Sequence, residues 1–128
     1  MPNQKDIESF LASYPSEVGA LARAARRLLE SSLPNAAETL DESAKVIGYG
    51  YGPGYKGCVC TLILSQTGVK LGIPYGASMP DPNGLLRGAG KVHRHVVLQK
   101  PADLKQPGVK AMVKSALAAW KERTKANG

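Results

Sequence analysis

The chain has 128 residues, 43% of them apolar, and a formal net charge of +7. That length suits one domain able to bury a core without disulfide or metal staples, and the apolar share excludes a disordered chain. No apolar run approaches the roughly 20 residues that span a bilayer. Residues 1–9 are polar, carry Asp6 and Glu8, and lack the apolar centre of a signal peptide. A cytoplasmic protein without a membrane partner is expected. Cys58 and Cys60 are the only cysteines. Two apart on a strand, they are expected to share one face and stay free thiols.

The charge is unevenly spread. Residues 1–86 hold seven basic and eight acidic side chains, a net of −1; residues 87–128 hold ten and two, a net of +8. Such asymmetry points to an anionic partner. A solvated basic helix is the plainer reading, since no aromatic residues interleave the charges as single-strand binders require. Weak, non-specific nucleic-acid binding by this basic face therefore stands as an alternative.

In chain order, Ile7, Phe10 and Leu11 are spaced for a short helix over residues 5–13. Tyr14-Pro15 interrupts it. Ser16 then reads as the N-cap of a second helix reaching about Ser32, with Glu17 in its first turn. Val18, Leu21, Ala22, Ala25, Leu28 and Leu29 form its buried stripe, and Arg23, Arg26, Arg27 and Glu30 are expected to be wet. Pro34-Asn35 turns the chain. Residues 45–51 make a weak strand beside three glycines. Residues 57–64, apolar on both faces, make a strong one that is expected to be central and covered. Ser65-Gln66-Thr67-Gly68 is a hairpin turn. Val69, Leu71, Ile73 and Tyr75 then alternate with Lys70, Gly72 and Pro74 in a half-buried strand that Pro74 ends or confines to an edge. Residues 79–84 are loop, Leu85-Leu86 is an apolar anchor, and residues 92–99 form the last strand. A final helix starts near Pro107, with Val109, Met112, Val113, Ala116, Leu117 and Trp120 inward. Two helices, three or four antiparallel strands and a helix make an α+β domain, a two-layer sandwich with N- and C-terminal helices on one antiparallel sheet. Residues 1–128 read as a single domain.

The motifs are weak. Gly52-Pro53-Gly54-Tyr55-Lys56-Gly57 fits a dinucleotide fingerprint, but a strand follows it where a helix N-terminus is needed. A turn in which Tyr49, Tyr51 and Tyr55 alternate with glycines suits it better, and those tyrosines are candidate pocket walls. Gly84 to Lys91 imitates a phosphate loop with one residue too many and Val92 where Ser or Thr belongs. Backbone amides there, beside Lys91 and Arg94, suit a small anion. Cys58, Cys60, His93 and His95 would make a Cys₂His₂ zinc site only if their strand faces coincide, at spacings no zinc motif uses. No Gly-x-Ser-x-Gly elbow, supported Cys–His pair or catalytic carboxylate pair is evident, so the sequence supplies no argument for an enzyme.

Several segments together resemble the YdhG-like family of unknown function. They are Tyr14-Pro15, Pro34-Asn35-Ala36-Ala37-Glu38, Val69-Lys70-Leu71, the run from Gly76 to Leu86 around Asp81-Pro82-Asn83-Gly84, Gly88-Ala89-Gly90-Lys91 and Arg94-His95-Val96. The resemblance covers nearly the whole chain. It implies a helix–sheet–helix fold related in shape to frataxin and, since some members are described as iron chaperones, an iron-carrying alternative with Glu38, Asp41 and Glu42 as ligands. The leading expectation is a non-enzymatic ligand- or partner-binding domain without cofactor. Arg87, Lys91, Arg94 and His95 would contact a small anionic ligand, Tyr49, Tyr51 and Tyr55 would wall the pocket, and Asp81 would organise the loop.

Overall fold

Apolar spacing and turn residues account for most of the elements that form. The computed structural model describes residues 4–52 and 57–127. Along the chain run α1 (Gln4–Ala12), α2 (Ser16–Ser32), β1 (Ala37–Asp41), β2 (Val46–Gly50), β3 (Cys58–Leu64), β4 (Val69–Ile73), β5 (Leu86–Arg87), β6 (Arg94–Leu98) and α3 (Pro107–Asn127). Pro15, not Ser16, occupies the N-cap of α2, and no side chain caps that helix. Two short 3-10 turns, Gly76–Ser78 and Pro101–Lys105, sit in the connections. Neither β1 nor β5 has a strand signal in its residues. β1 alternates exposed and half-exposed positions, so it carries little apolar pattern to read.

The architecture is α+β: three helices and one antiparallel six-stranded sheet in the order β1-β2-β3-β4-β6-β5. The strands β1 to β4 form a meander. The chain then crosses to the outer position for β5 and returns to place β6 between β4 and β5. Register joins Leu40, Ile47, Leu62, Leu71, Val96 and Leu86 into one row across all six strands. Ile47, Leu62, Leu71 and Val96 from this row pack with Ile7, Leu11, Leu21, Leu29, Val109 and Val113 of the helices in a single core.

The next row over points the other way: Thr39, Gly48, Thr61, Gly72, His95 and Arg87. No member of it belongs to the buried apolar core. The central strand β3 is therefore covered on one face only, and Thr61 and Ile63 on its open face are half-buried. A register shift at Tyr49/Gly50 pairs Tyr49 with Cys60 but Gly50 with Cys58. The extra residue of this β-bulge turns the strand over locally. Cys60 is fully buried beside Tyr49, whereas Cys58 Sγ lies 4.0 Å from where a Cβ of Gly48 would sit, on the open face. The two thiols do not share a face. Both are free.

Arg26 overturns a second expectation. It is buried, with 6% of its surface exposed. Its Nε and NH2 donate to the two Glu38 oxygens at 2.8 and 2.9 Å, and its NH1 donates to Glu8 Oε1 at 3.1 Å. Tyr49 Oη also donates to Glu38, and Arg23 Nε reaches Glu8 Oε2 at 2.8 Å. The network joins α1, α2, β1 and β2. Burial pushes the Glu38 carboxyl up, but hydrogen bonds from Arg26 and Tyr49 and the Arg26 charge outweigh it and hold the group below its ordinary value.

Removing one partner of a buried pair strands the other charge, at a cost of about 3 kcal/mol. Arg26→Met should lose stability on that scale in urea unfolding, and Arg26→Met with Glu38→Leu should recover most of it. A loss below about 1 kcal/mol for the single variant would show that the pair contributes no more than an exposed one. Because the folded-state value of Glu38 is depressed, its contribution is present above its ordinary value of 4.5 and should fade as pH drops below it.

Candidate functional site

The open sheet face gathers charge of one sign at the β4–β6–β5 end. Lys70 and Gly72 share that face of β4, since the strand alternates and Leu71 and Ile73 point into the core. His95 pairs with Gly72 on one side and with Arg87 on the other. Arg87 is placed by the loop before it. The Asp81 carboxylate accepts from the amides of Leu85 and Leu86 at 2.8 and 2.9 Å, and Gly84 takes the left-handed turn at φ +64°. Arg87 NH1 then donates to Gly84 O and Leu86 O. Its Nε and NH2 donate to nothing among the described residues.

Above Gly72 the surface is polar. A Cβ there would collide with Thr61 Oγ1 and lie 3.0 Å from His93 Nε2 and 3.3 Å from Ile63 Cδ1. Thr61 Oγ1 is buried and has no hydrogen-bond partner, and neither imidazole makes a hydrogen bond among the described residues. Burial, followed by the charges of Lys70, His93 and Arg87, holds the His95 proton affinity below the ordinary range. Burial does the same for His93. Among the described residues, no carboxylate lies within ion-pair distance of Lys70, Arg87, Lys91 or Arg94; the ion pairs found all belong to the Glu8–Arg23–Arg26–Glu38 network.

The other expected contacts are divided. Arg94 pairs with Ile73 in register. Its side chain runs under the loop beside Gly88 and Gly90, and its NH1 donates to His93 O at 3.3 Å. Lys91 lines a cavity of about 170 Å³ with Tyr75, Ser78 and Val92, and Arg123 stacks on the Tyr75 ring at 4.1 Å. Between them, the exposed amides of Ala89, Gly90 and Lys91 donate to no protein group among the described residues.

Tyrosines do not wall this site. Tyr49 is in the core with its hydroxyl on Glu38. Tyr51 stacks on Trp120 at 4.8 Å and donates to Pro34 O. Both lie strands away from β5, and Tyr55 falls outside the described residues. The expected iron ligands are also separated. Glu38 is on the helix-facing side, engaged by Arg26. Asp41 accepts from Ser43 Oγ and the Ala44 amide, which hold its carboxyl below the ordinary range. Asp41 and Glu42 border a wide-open cleft of about 690 Å³ against α1 that is remote from the cations. Among the described residues no group of three or more His, Cys, Asp or Glu is arranged around a metal position. The Cys₂His₂ set fails because Cys60 faces the helices.

Sequence reading missed Lys70. Its signal was available in part: it occupies an alternating position opposite core residues. Comparison of the chain with protein-family models, curated proteins and solved structures finds no match, so the functional reading rests on this geometry.

The two histidines give a pH test. With both folded-state values depressed, the unfolded chain takes up protons first as pH falls below 6.5, and that uptake favours unfolding. Urea unfolding should show stability falling from pH 7.5 to 5.5, and less so in His93→Gln/His95→Gln. Identical pH profiles for the two proteins would refute the assigned environment.

Proposed function

We propose that this protein is a non-enzymatic, YdhG-like domain with a frataxin-like arrangement of helices and sheet, and that it binds a small anion at the β5–β6 end of its open sheet face. One observation carries the reading: Lys70, Arg87 and His95 stand together at the β4–β6–β5 end of the open face, and among the described residues no carboxylate lies within ion-pair distance of either cation. Uncompensated cations beside free loop amides raise the local concentration of anions. Arg87 and His95 supply the direct contacts, Lys70 lies alongside, and Lys91 in the loop and Arg94 at the start of β6 add charge nearby. Iron carriage would require Glu38 to leave Arg26 and Tyr49, which strands a buried charge.

Isothermal titration with sulfate at low ionic strength tests this. One sulfate per chain is expected to bind. Arg87→Ala/Lys91→Ala removes two exposed side chains and should weaken binding at least tenfold, because a hydrogen bond to a charged group contributes about 1.5–3 kcal/mol. Its melting temperature should stay near that of the parent. An absence of sulfate binding, or binding indifferent to the double variant, would overturn the reading.

A further inference from the structure

We infer that the middle of the open sheet face docks a second copy of this chain, with β1 to β4 of one copy laid against β4 to β1 of the other about a two-fold axis parallel to the strands. The inference goes beyond the anion reading and does not rest on it, because Arg87 and His95 lie on β5 and β6, outside the four strands in contact.

A sheet face that meets only water carries polar residues opposite the core positions. This one does not. Val46 on β2 and Cys58 and Ile63 on β3 are half-buried on it. The residues of β3 read as a strand covered on both faces, yet the helices cover one. The patch is also flat. The Thr61 hydroxyl and the His93 ring already fill the space above Gly72, and the atoms nearest to a Cβ placed on Gly48 are 3.9 and 4.0 Å away. A flat, small-featured face suits a second sheet, since packed sheets lie only about 10 Å apart.

Charge selects the partner and its orientation. Register runs Asp41, Val46, Ile63 and Lys70 across four adjacent strands. The row begins with a carboxylate, ends with an ammonium and has two apolar residues between. A two-fold axis parallel to the strands, passing between β2 and β3, sets this row against its own reverse. Asp41 then meets Lys70 of the second copy and Val46 meets Ile63, with the same contacts repeated at the other end. An in-plane axis at right angles to the strands would set Asp41 against Asp41 and Lys70 against Lys70. Both charged groups are available: the Asp41 bonds to Ser43 and Ala44 fall on Oδ1 alone, and no carboxylate among the described residues lies within ion-pair distance of Lys70. A two-fold contact needs one patch that complements itself, and this row does. Four strands by five residues cover about 19 by 17 Å, or about 300 Å², where each partner of a stable complex contributes about 800 Å². The dimer is therefore weak, with affinity from the apolar centre and orientation from the ion pairs.

Sedimentation velocity at low ionic strength should show monomer at about 10 μM and a rising share of dimer toward about 1 mM, as a dissociation constant in the high micromolar range requires. Lys70→Glu turns both end contacts into carboxylate pairs, and Asp41→Lys turns them into ammonium pairs. Each should weaken association about fivefold or more. An equimolar mixture of the two variants should associate at least as well as the parent, because every end contact is again between opposite charges. Val46→Thr, close in shape, should weaken association severalfold through lost apolar area. Thermal melting checks that the variants are folded; Asp41→Lys gives up its bonds to Ser43 and Ala44 and should melt somewhat lower, whereas Lys70→Glu should melt with the parent. A protein that stays monomeric at the highest concentration, a mixture that associates no better than either variant alone, or a dimer indifferent to Lys70→Glu would overturn the inference.

Discussion

A guanidinium sits at the edge of the core of this protein, and it can do so only because a carboxylate meets it there. Arg26 brings a full charge to a position with 6% of its surface exposed. Desolvating an ion costs several kcal/mol, so an isolated arginine would not remain. Two parallel hydrogen bonds to Glu38, a third to Glu8 and the Tyr49 hydroxyl on the same carboxylate complete the set. The geometry fixes more than a pair of side chains. Glu38 belongs to the edge strand β1, which has little apolar surface of its own, and Arg26 belongs to α2. Their contact clamps the edge of the sheet to the helix layer, and Glu8 ties α1 to the same point.

With the helices and one sheet face committed to the core, the other face has to find its own chemistry. Part of that face carries little side chain: Gly48 and Gly72 alternate with Thr39 and Thr61 along one registered row. At its β5 end the row finishes in His95 and Arg87. The β-bulge in β3 contributes as well, because it delivers Cys58 to this side and leaves Cys60 in the core. Desolvation pushes both thiols up, Cys60 further than Cys58, so neither is a ready thiolate. Hydroxyl, imidazole and cation gather at the β5–β6 end of the face, beside Ile63 and the exposed Val97.

Two ends of one sheet thus carry opposite electrostatics. The β1–β2 end presents Asp6, Asp41 and Glu42 around an open cleft, and its carboxylate with the deepest setting, Glu38, is already neutralised. The β5–β6 end presents cations with no carboxylate in ion-pair distance among the described residues. Volume alone would favour the acidic cleft, but a wide, shallow depression offers few converging groups. Convergence of donors, rather than cavity size, is what a small charged ligand needs.

How much of this was legible in the sequence depends on which interactions are local. Helical spacing of Ile7, Phe10 and Leu11 and of Val109, Met112 and Val113, the Ser65–Gly68 turn and the Pro74 stop are properties of a few neighbouring residues, and they placed α1, α3 and the β3–β4 hairpin closely. The net positive C-terminal third and the Asp81 loop were equally plain. Arg26 looked like a solvent-facing position because helical periodicity reports which side of a helix a residue occupies and says nothing about a carboxylate 12 residues away on another element. The bulge that parts Cys58 from Cys60 is set by pairing with β2, and β5 exists only because β6 lies beside it. The candidate site has the same origin. Lys70, Arg87 and His95 come from three strands with no common sequence pattern, and it is antiparallel register, a long-range property of the folded chain, that makes them neighbours.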